Sequence, residues 1–508
     1  MTTATGLAAL TPSDAVTLGT STNRTGRAQS QDAWAERALP IFAFLWAFSA
    51  LFHQAAYPDR AFGISALLVT LPAIWVLLKP DSVPRFATAV ALQCVQVWRL
   101  GPANVSNHWI FTFFVDLTIL LALASLVVRK RSRSVTGGEL FLTFAPAARL
   151  ELLGLYFYAV LHKLNADFLN PVLSCATNHY SKIANYATFL PRGAWVDGAV
   201  IYGTLAVETS VPLLLVFRRT RLFGILLAMM FHFGLALNPE HTFFDFSSML
   251  MAVYFLYVPF DFWNSLRSVE FRSRTGQWLR SRVQRQQITR WAKRIAVVLG
   301  VILVATYAQR LTPRGPLLIN ALQETTRLIF VLYAATVVAV FLLVARARDV
   351  VGETNALVSL RPRGVTAIIP ILVLFNGMTP YLGLKTEASF SMFSNLRTES
   401  RPNHILIPGH AHLSSYQDDL VRVLDSSNPT LQRLSSAGTL VPFHELRRRV
   451  ATGTLKNASI VYERGGRVFT YARAADDTEL SRPLSLVERK LFRFRVIDPP
   501  GVGTPCRH

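Results

Sequence analysis

The residue best placed to do chemistry in this chain is Lys163, which follows an aromatic run in YFYAVLHKLNADF, residues 156–168. An amine at the rim of an apolar helix has two ordinary fates: it snorkels to water, or it stays partly desolvated and gives up its proton. A deprotonated amine is a base able to attack a weak carbon or oxygen acid. His162 is adjacent, although neighbours on a helix point to different faces. The plainer reading of Lys163 is a cation that anchors the end of a membrane helix.

A second group lies in FHFGLALNPEHTFFDFSSMLMAVYFLYVP, residues 231–259. His232 ends one apolar run, and the plainer reading is a buried histidine bonded to a neighbouring helix. Asp245 opens the next run, where a negative charge suits the helix dipole. No Walker loop, GxSxG or HExxH occurs, which argues against an ATPase, a serine hydrolase or a zinc protease. The three cysteines, Cys94, Cys175 and Cys506, form no CxxC, so no metal is expected.

The elements that hold these residues are apolar helices. The chain is 51% hydrophobic and only 16% charged, against about a quarter charged for a soluble domain. Its net charge of +22 is not read as a nucleic-acid footprint, because much of it sits in short loops between apolar runs and no nucleic-acid motif accompanies it. Spans are expected near 37–55, 61–79, 85–99, 108–128, 147–165, 195–217, 221–238, 242–260, 294–310, 325–345 and 364–379. The third is short and carries Gln93 and Gln96, so it is expected to be buried among the others. The fold class is therefore mainly α: a polytopic bundle of about 10–11 transmembrane helices over 34–380.

Arg129 to Arg133, Arg218 to Arg221, the basic segment 261–293 and Arg346 to Arg363 fall on one side of an eleven-span layout. The positive-inside rule makes that side cytoplasmic. The N-terminus is then cytoplasmic and the C-terminus extracytoplasmic in a plasma-membrane protein, with Lys163 at the outer rim. Residues 1–33, polar and rich in Thr and Ser, read as a disordered cytoplasmic tail. Segment 261–293 is long enough for a basic surface helix with Trp278 and Trp291 at headgroup depth.

Residues 381–508 read as a small extracytoplasmic α+β domain. SIVYER and RVFTYAR flank Gly465-Gly466 as a hairpin, KLFRFRVID alternates like a half-buried strand, and PFHELRRRV reads as a short helix. Cys175 and Cys506 share the outer side, but the Gly/Pro-rich end around Cys506 argues against an essential disulfide.

Lys163-Leu164-Asn165-Ala166-Asp167-Phe168 resembles the Lys-Leu-Asp-Ala-Asp-Trp run of the vitamin K-dependent carboxylase family, whose matched lysine is the proposed base that deprotonates the hydroquinone. His232 falls at the family's helix-end histidine. Phe390, Met392, Asn395, Arg397 and His404, in 375–408, fall on the exterior segment that in the family helps to hold a substrate glutamate. An arginine fork there suits a carboxylate. The plainer reading of Arg397 is a tie between the exterior domain and the bundle. The resemblance covers roughly 37–410 and extends to the wider bacterial set of horizontally transferred transmembrane (HTTM) domains. The pair Asn107-His108 lies one helix length before the family's Asn-His pair, and only about 130 residues follow the last span.

The resemblance implies a quinol-dependent membrane enzyme with Lys163 as base and Arg397, Asn395, His404 and His232 binding substrate. It also implies a reduced quinone of the menaquinol or vitamin K hydroquinone type as cofactor, and no metal. The expected partners are membrane lipids and an exported peptide or other carboxylate, without nucleic acid. The alternative is a non-catalytic membrane protein for maturation of, or immunity to, an exported peptide.

Overall fold

The computed structural model describes residues 12–57, 64–132, 134–259, 315–347, 358–409, 411, 413–499, 503 and 506. The basic segment 261–293 and the span expected at 294–310 lie outside them.

The bundle is built from α1 (Pro12–Ala56), α2 (Ile64–Leu78), α3 (Val83–Leu100), α4 (Asn107–Lys130), α5 (Gly137–Leu161), α8 (Ala194–Val216), α9 (Arg221–Ala236), α10 (Phe243–Phe255) and the helices Gly315–Ala347 and Ile368–Met378. Two short helices, α6 (Ala166–Leu169) and α7 (Cys175–Tyr186), occupy the loop between α5 and α8. Among the described residues, five helices are long and apolar enough to cross a membrane: 34–56, 107–130, 137–161, 194–216 and 323–343.

Several boundaries differ from the sequence reading, among them the helix Gly315–Ala347, which starts ten residues before the expected 325. Residues 12–33, read as a disordered tail, continue α1; AQSQDAWAERA is a run of good helix formers. Helix α5 begins ten residues earlier than expected, at Gly137. There Thr136 and Glu139 close a reciprocal capping box that satisfies two of the first-turn amide donors. The last apolar run starts as a 3-10 turn, Gly364–Ala367, before the helix proper.

Helix α1 packs against α2, α5 and α10, and α10 is buried at every residue but Phe246. Aromatic rings fill this centre: Phe42 stacks on Trp46 and meets Phe86 and Phe144. Gln93 and Gln96 of α3 are buried, as expected. Helix α8 is different. Only 22% of its apolar window is buried, and Trp195, Tyr202, Leu213 and Phe217 are exposed on or beside it. Side chains of that size on one face suit hydrocarbon rather than water.

The C-terminal part holds a four-stranded antiparallel sheet of order β2-β1-β3-β4, with β1 (Leu420–Ser426), β2 (Leu440–Pro442), β3 (Ile460–Arg464) and β4 (Arg467–Tyr471). The expected hairpin is β3–β4, in register from Ile460↔Tyr471 to Arg464↔Arg467. Gly465 and Gly466 both take left-handed φ, 57° and 75°, the demand of a type I′ turn. The expected helix is Phe443–Ala451. KLFRFRVID is not a strand: Lys490 and Leu491 end a short helix, and the remainder makes one bridge, Leu440↔Ile497. Edge strand β2 is only three residues long, which leaves little ladder to extend.

Candidate functional site

Lys163 lies just past the end of α5. His162 closes that helix, with its ring nitrogens 3.2 Å from the carbonyl of Phe390 and 3.1 Å from that of Gly377. The helix Ile368–Met378 approaches α5 closely here because residue 377 is glycine: a Cβ would stand 2.1 Å from the Tyr158 ring. His162 is thus a tie between α5 and the following segment. Lys163 turns the other way. Its Nζ lies 2.7 Å from Oε2 of Glu208, donates to Oε1 at 3.0 Å and to the carbonyl of Ala159 at 3.1 Å, and sits 5.9 Å from the centre of the Phe168 ring. Both members of the pair are buried.

Sequence reasoning singled out Lys163 and missed Glu208. The signal was available, because Glu208 is a lone carboxylate in the middle of the apolar run AVIYGTLAVETSVPLLLV.

The pair faces a cavity of about 550 Å³ between α5, α7, α8, α9 and residues 390–393. Its polar groups are Lys163, Glu208, Thr204, Tyr156, Tyr180, His179 and His232; most of the remaining wall is aliphatic or aromatic. His232 lines it, with Nε2 3.3 Å from the Tyr156 hydroxyl, which in turn bonds to Tyr254. Phe390, Met392 and Phe393 close one side.

The segment that carries those three residues has an unusual backbone. Ala388, Phe390, Phe393, Asn395 and Ser400 all adopt left-handed φ between 51° and 62°. Non-glycine residues take that region at a cost of order 1 kcal/mol each, and a run of them persists only where surrounding bonds fix it. Here those bonds are visible. Asn107 Oδ1 accepts from the Phe390 amide at 2.6 Å. Asn395 accepts from the Cys175 amide at 2.9 Å and donates to the Leu173 carbonyl at 2.9 Å. Asn165 donates to the carbonyls of His162 and Ser394 at 2.7 and 2.6 Å. Asn107, of the pair Asn107-His108 read as one helix length too early, therefore reaches this segment through space.

Three expected binding residues are not brought into this cavity. Asn395 is spent on the α7 connection. His404 donates from Nε2 to the Leu161 carbonyl at 2.8 Å and accepts at Nδ1 from the amides of Leu406 and Ile407, which fixes its tautomer and leaves it a structural role. Burial holds its imidazole below the usual range. Arg397 donates to the Arg401 carbonyl at 2.7 Å and borders a cleft of only about 20 Å³ with Glu399 and Arg495. A carboxylate pocket built on Arg397 has no room in that cleft, and its hydrogen bonds run to Arg401 and Asn403 of its own segment.

Asp245 lies in the first turn of α10, where its charge suits the helix dipole, and its Oδ2 also meets two imidazoles, His53 Nδ1 at 2.8 Å and His108 Nε2 at 2.5 Å. Cys175 and Cys506, for which the sequence argued only against an essential disulfide, are bonded. Cys506 packs against the cluster of Phe168, Cys175 and Ile201, so the chain end is held at the α7 side of the cavity.

Compared with family models, curated proteins and solved structures, the chain matches none.

Proposed function

We propose that this chain is a multi-pass membrane enzyme of the vitamin K-dependent carboxylase-like, HTTM class, and that the cavity beside Lys163 takes a reduced quinone. The observation that carries this reading is the Lys163–Glu208 pair set in the wall of a large, mostly apolar cavity next to the sparsely buried helix α8. An isoprenoid quinol is an apolar body with two weakly acidic hydroxyls. It suits a cavity that offers aliphatic and aromatic walls and a few converging polar groups.

Two full charges are costly to bury in such a wall, so each member of the Lys163–Glu208 pair is held there by the other. Were a reduced quinone bound in the cavity, Lys163 would be the group placed to take a proton from its hydroxyl, Glu208 would hold the amine in position, and the apolar wall would exclude water. His232 and Tyr156 supply a second polar point for the far hydroxyl. In the carboxylase class the quinolate reacts with dioxygen, and the strong base so formed abstracts a proton from an acceptor outside the membrane.

The test is oxygen uptake by the full chain in vesicles loaded with menaquinol. Wild type is expected to consume oxygen and Lys163→Arg to lose at least nine-tenths of that rate with unchanged thermal stability, because a guanidinium does not deprotonate. Equal rates for the two proteins would contradict the reading. No uptake by wild type would favour the non-catalytic role in maturing an exported peptide.

A further inference from the structure

We infer that His53, His108 and Asp245 form a site for one divalent first-row transition cation, beside the Lys163 cavity and separate from it. The three residues come from three helices: His53 from the end of α1, His108 from the first turn of α4, and Asp245 from the first turn of α10. Their ligand atoms, two imidazole nitrogens and a carboxylate oxygen, all lie within 4.8 Å of one another, and no other such group of three occurs among the described residues. Convergence from elements far apart in sequence is what a metal centre needs and what a helix cap does not.

The donor set selects the cation. Two imidazoles and one carboxylate suit zinc with an open position, or ferrous iron in a facial arrangement; hard cations such as magnesium and calcium prefer all-oxygen sites. The surroundings supply the packing that such ligands require. The His53 ring stacks on Trp109 at 3.7 Å with 6° between planes, and His108 packs on Phe246 at 5.7 Å. Ser106 Oγ lies 3.3 Å from the ligating His108 nitrogen, where it can bond an oxygen ligand on the metal.

The open side is visible too. His108, Ser106 and Tyr57 border a cleft of about 300 Å³ that also holds Glu387 and Arg493, and His53, Ser106 and Tyr57 border a second of about 30 Å³. A divalent ion held by one carboxylate keeps a net charge of about +1, which favours water-derived hydroxide or another oxygen anion as the next ligand. Arg493 in the larger cleft attracts the same kind of ligand.

A cation here would separate the three side chains slightly, replacing the two hydrogen bonds to Asp245 Oδ2 by bonds of about 2.0–2.2 Å to the metal. The alternative occupant is a proton, in a His–Asp–His relay. These differ in a way that does not depend on catalysis or on the quinol reading.

The experiment is elemental analysis of the full chain purified in detergent without chelator, both as isolated and after anaerobic incubation with Zn²⁺, Fe²⁺ or Co²⁺ and desalting. About one ion per chain is expected in wild type and in Lys163→Arg, and less than about 0.2 in His108→Ala and in Asp245→Asn. Should those variants fail to fold, the wild-type protein with Co²⁺ decides alone, since bound cobalt gives visible d–d bands that Zn²⁺ displaces. Less than 0.1 ion per chain after every incubation, or a stoichiometric ion that survives Asp245→Asn and His108→Ala undiminished, would overturn the site.

Discussion

Lys163 Nζ lies 2.7 Å from Glu208 Oε2 across 45 positions of sequence, joining the end of α5 to the middle of α8. This pairing makes each residue the condition for burying the other. Truncating one member of a buried pair leaves an uncompensated charge and costs about 3–5 kcal/mol, whereas replacing both by apolar groups of similar size is close to neutral. Glu208→Leu and Lys163→Met are each expected to lower the thermal midpoint strongly, and the double variant to recover most of the loss. Thermal unfolding in detergent measures the cycle. Additive losses would show that the pair is not coupled.

Lys385 offers a test by pH. It is buried past the last apolar helix, where Nζ donates to Asn376 Oδ1 at 2.6 Å and to the Ala388 carbonyl at 3.2 Å, and desolvation holds its ammonium down to about 7. Its ordinary value is 10.5. Between these values the unfolded chain binds the proton and the folded chain does not, so stability rises with pH across that window. Below about pH 7 both states bind the proton and the full cost of burying the charge is felt, on the order of a few kcal/mol. Lys385→Met should therefore be more stable than wild type at pH 7, with the difference shrinking toward pH 10. Midpoints of the two proteins measured from pH 6.5 to 10 give the comparison; a constant difference would show that Lys385 does not titrate in this range.

The Cys175–Cys506 bond ties the chain end to the start of α7 across 331 positions. A cross-link that closes so long a loop restrains the unfolded chain, and its removal from a fold costs about 2–5 kcal/mol. Cys506→Ser and wild type in reductant should both melt lower, and by similar amounts. An unchanged midpoint in both would show that the disulfide is not essential, as its Gly/Pro-rich surroundings argue.

What the sequence made legible was whatever a local pattern could carry. Apolar runs located the helices to within a few residues at most boundaries, and Gly465-Gly466 announced its hairpin. Lys163 and His232 stood out as titratable groups at the ends of apolar helices, and both line the cavity. Contacts closed through space were not legible. Nothing near Asp245 says that His53 and His108 will meet it, and nothing near Lys163 says that Glu208 will. The same holds for Asn107 and Phe390, 283 positions apart. Arg397, Asn395 and His404 failed as cavity residues for the converse reason. Asn395 and His404 spend their polar atoms on backbone partners that a motif does not display, and Arg397 Nε donates to another.

The central claim is that the cavity beside Lys163 holds a quinone, and its occupant can be identified directly. Gly203 of α8 borders the cavity, and a Cβ there meets nothing within 4 Å, so Gly203→Phe should fill the space without disturbing its neighbours. Lipids extracted from purified protein and quantified by mass spectrometry should show about one isoprenoid quinone per chain in wild type and a loss of at least five-fold in Gly203→Phe. Phospholipid without quinone in wild type, or quinone retained in full by Gly203→Phe, would contradict the account.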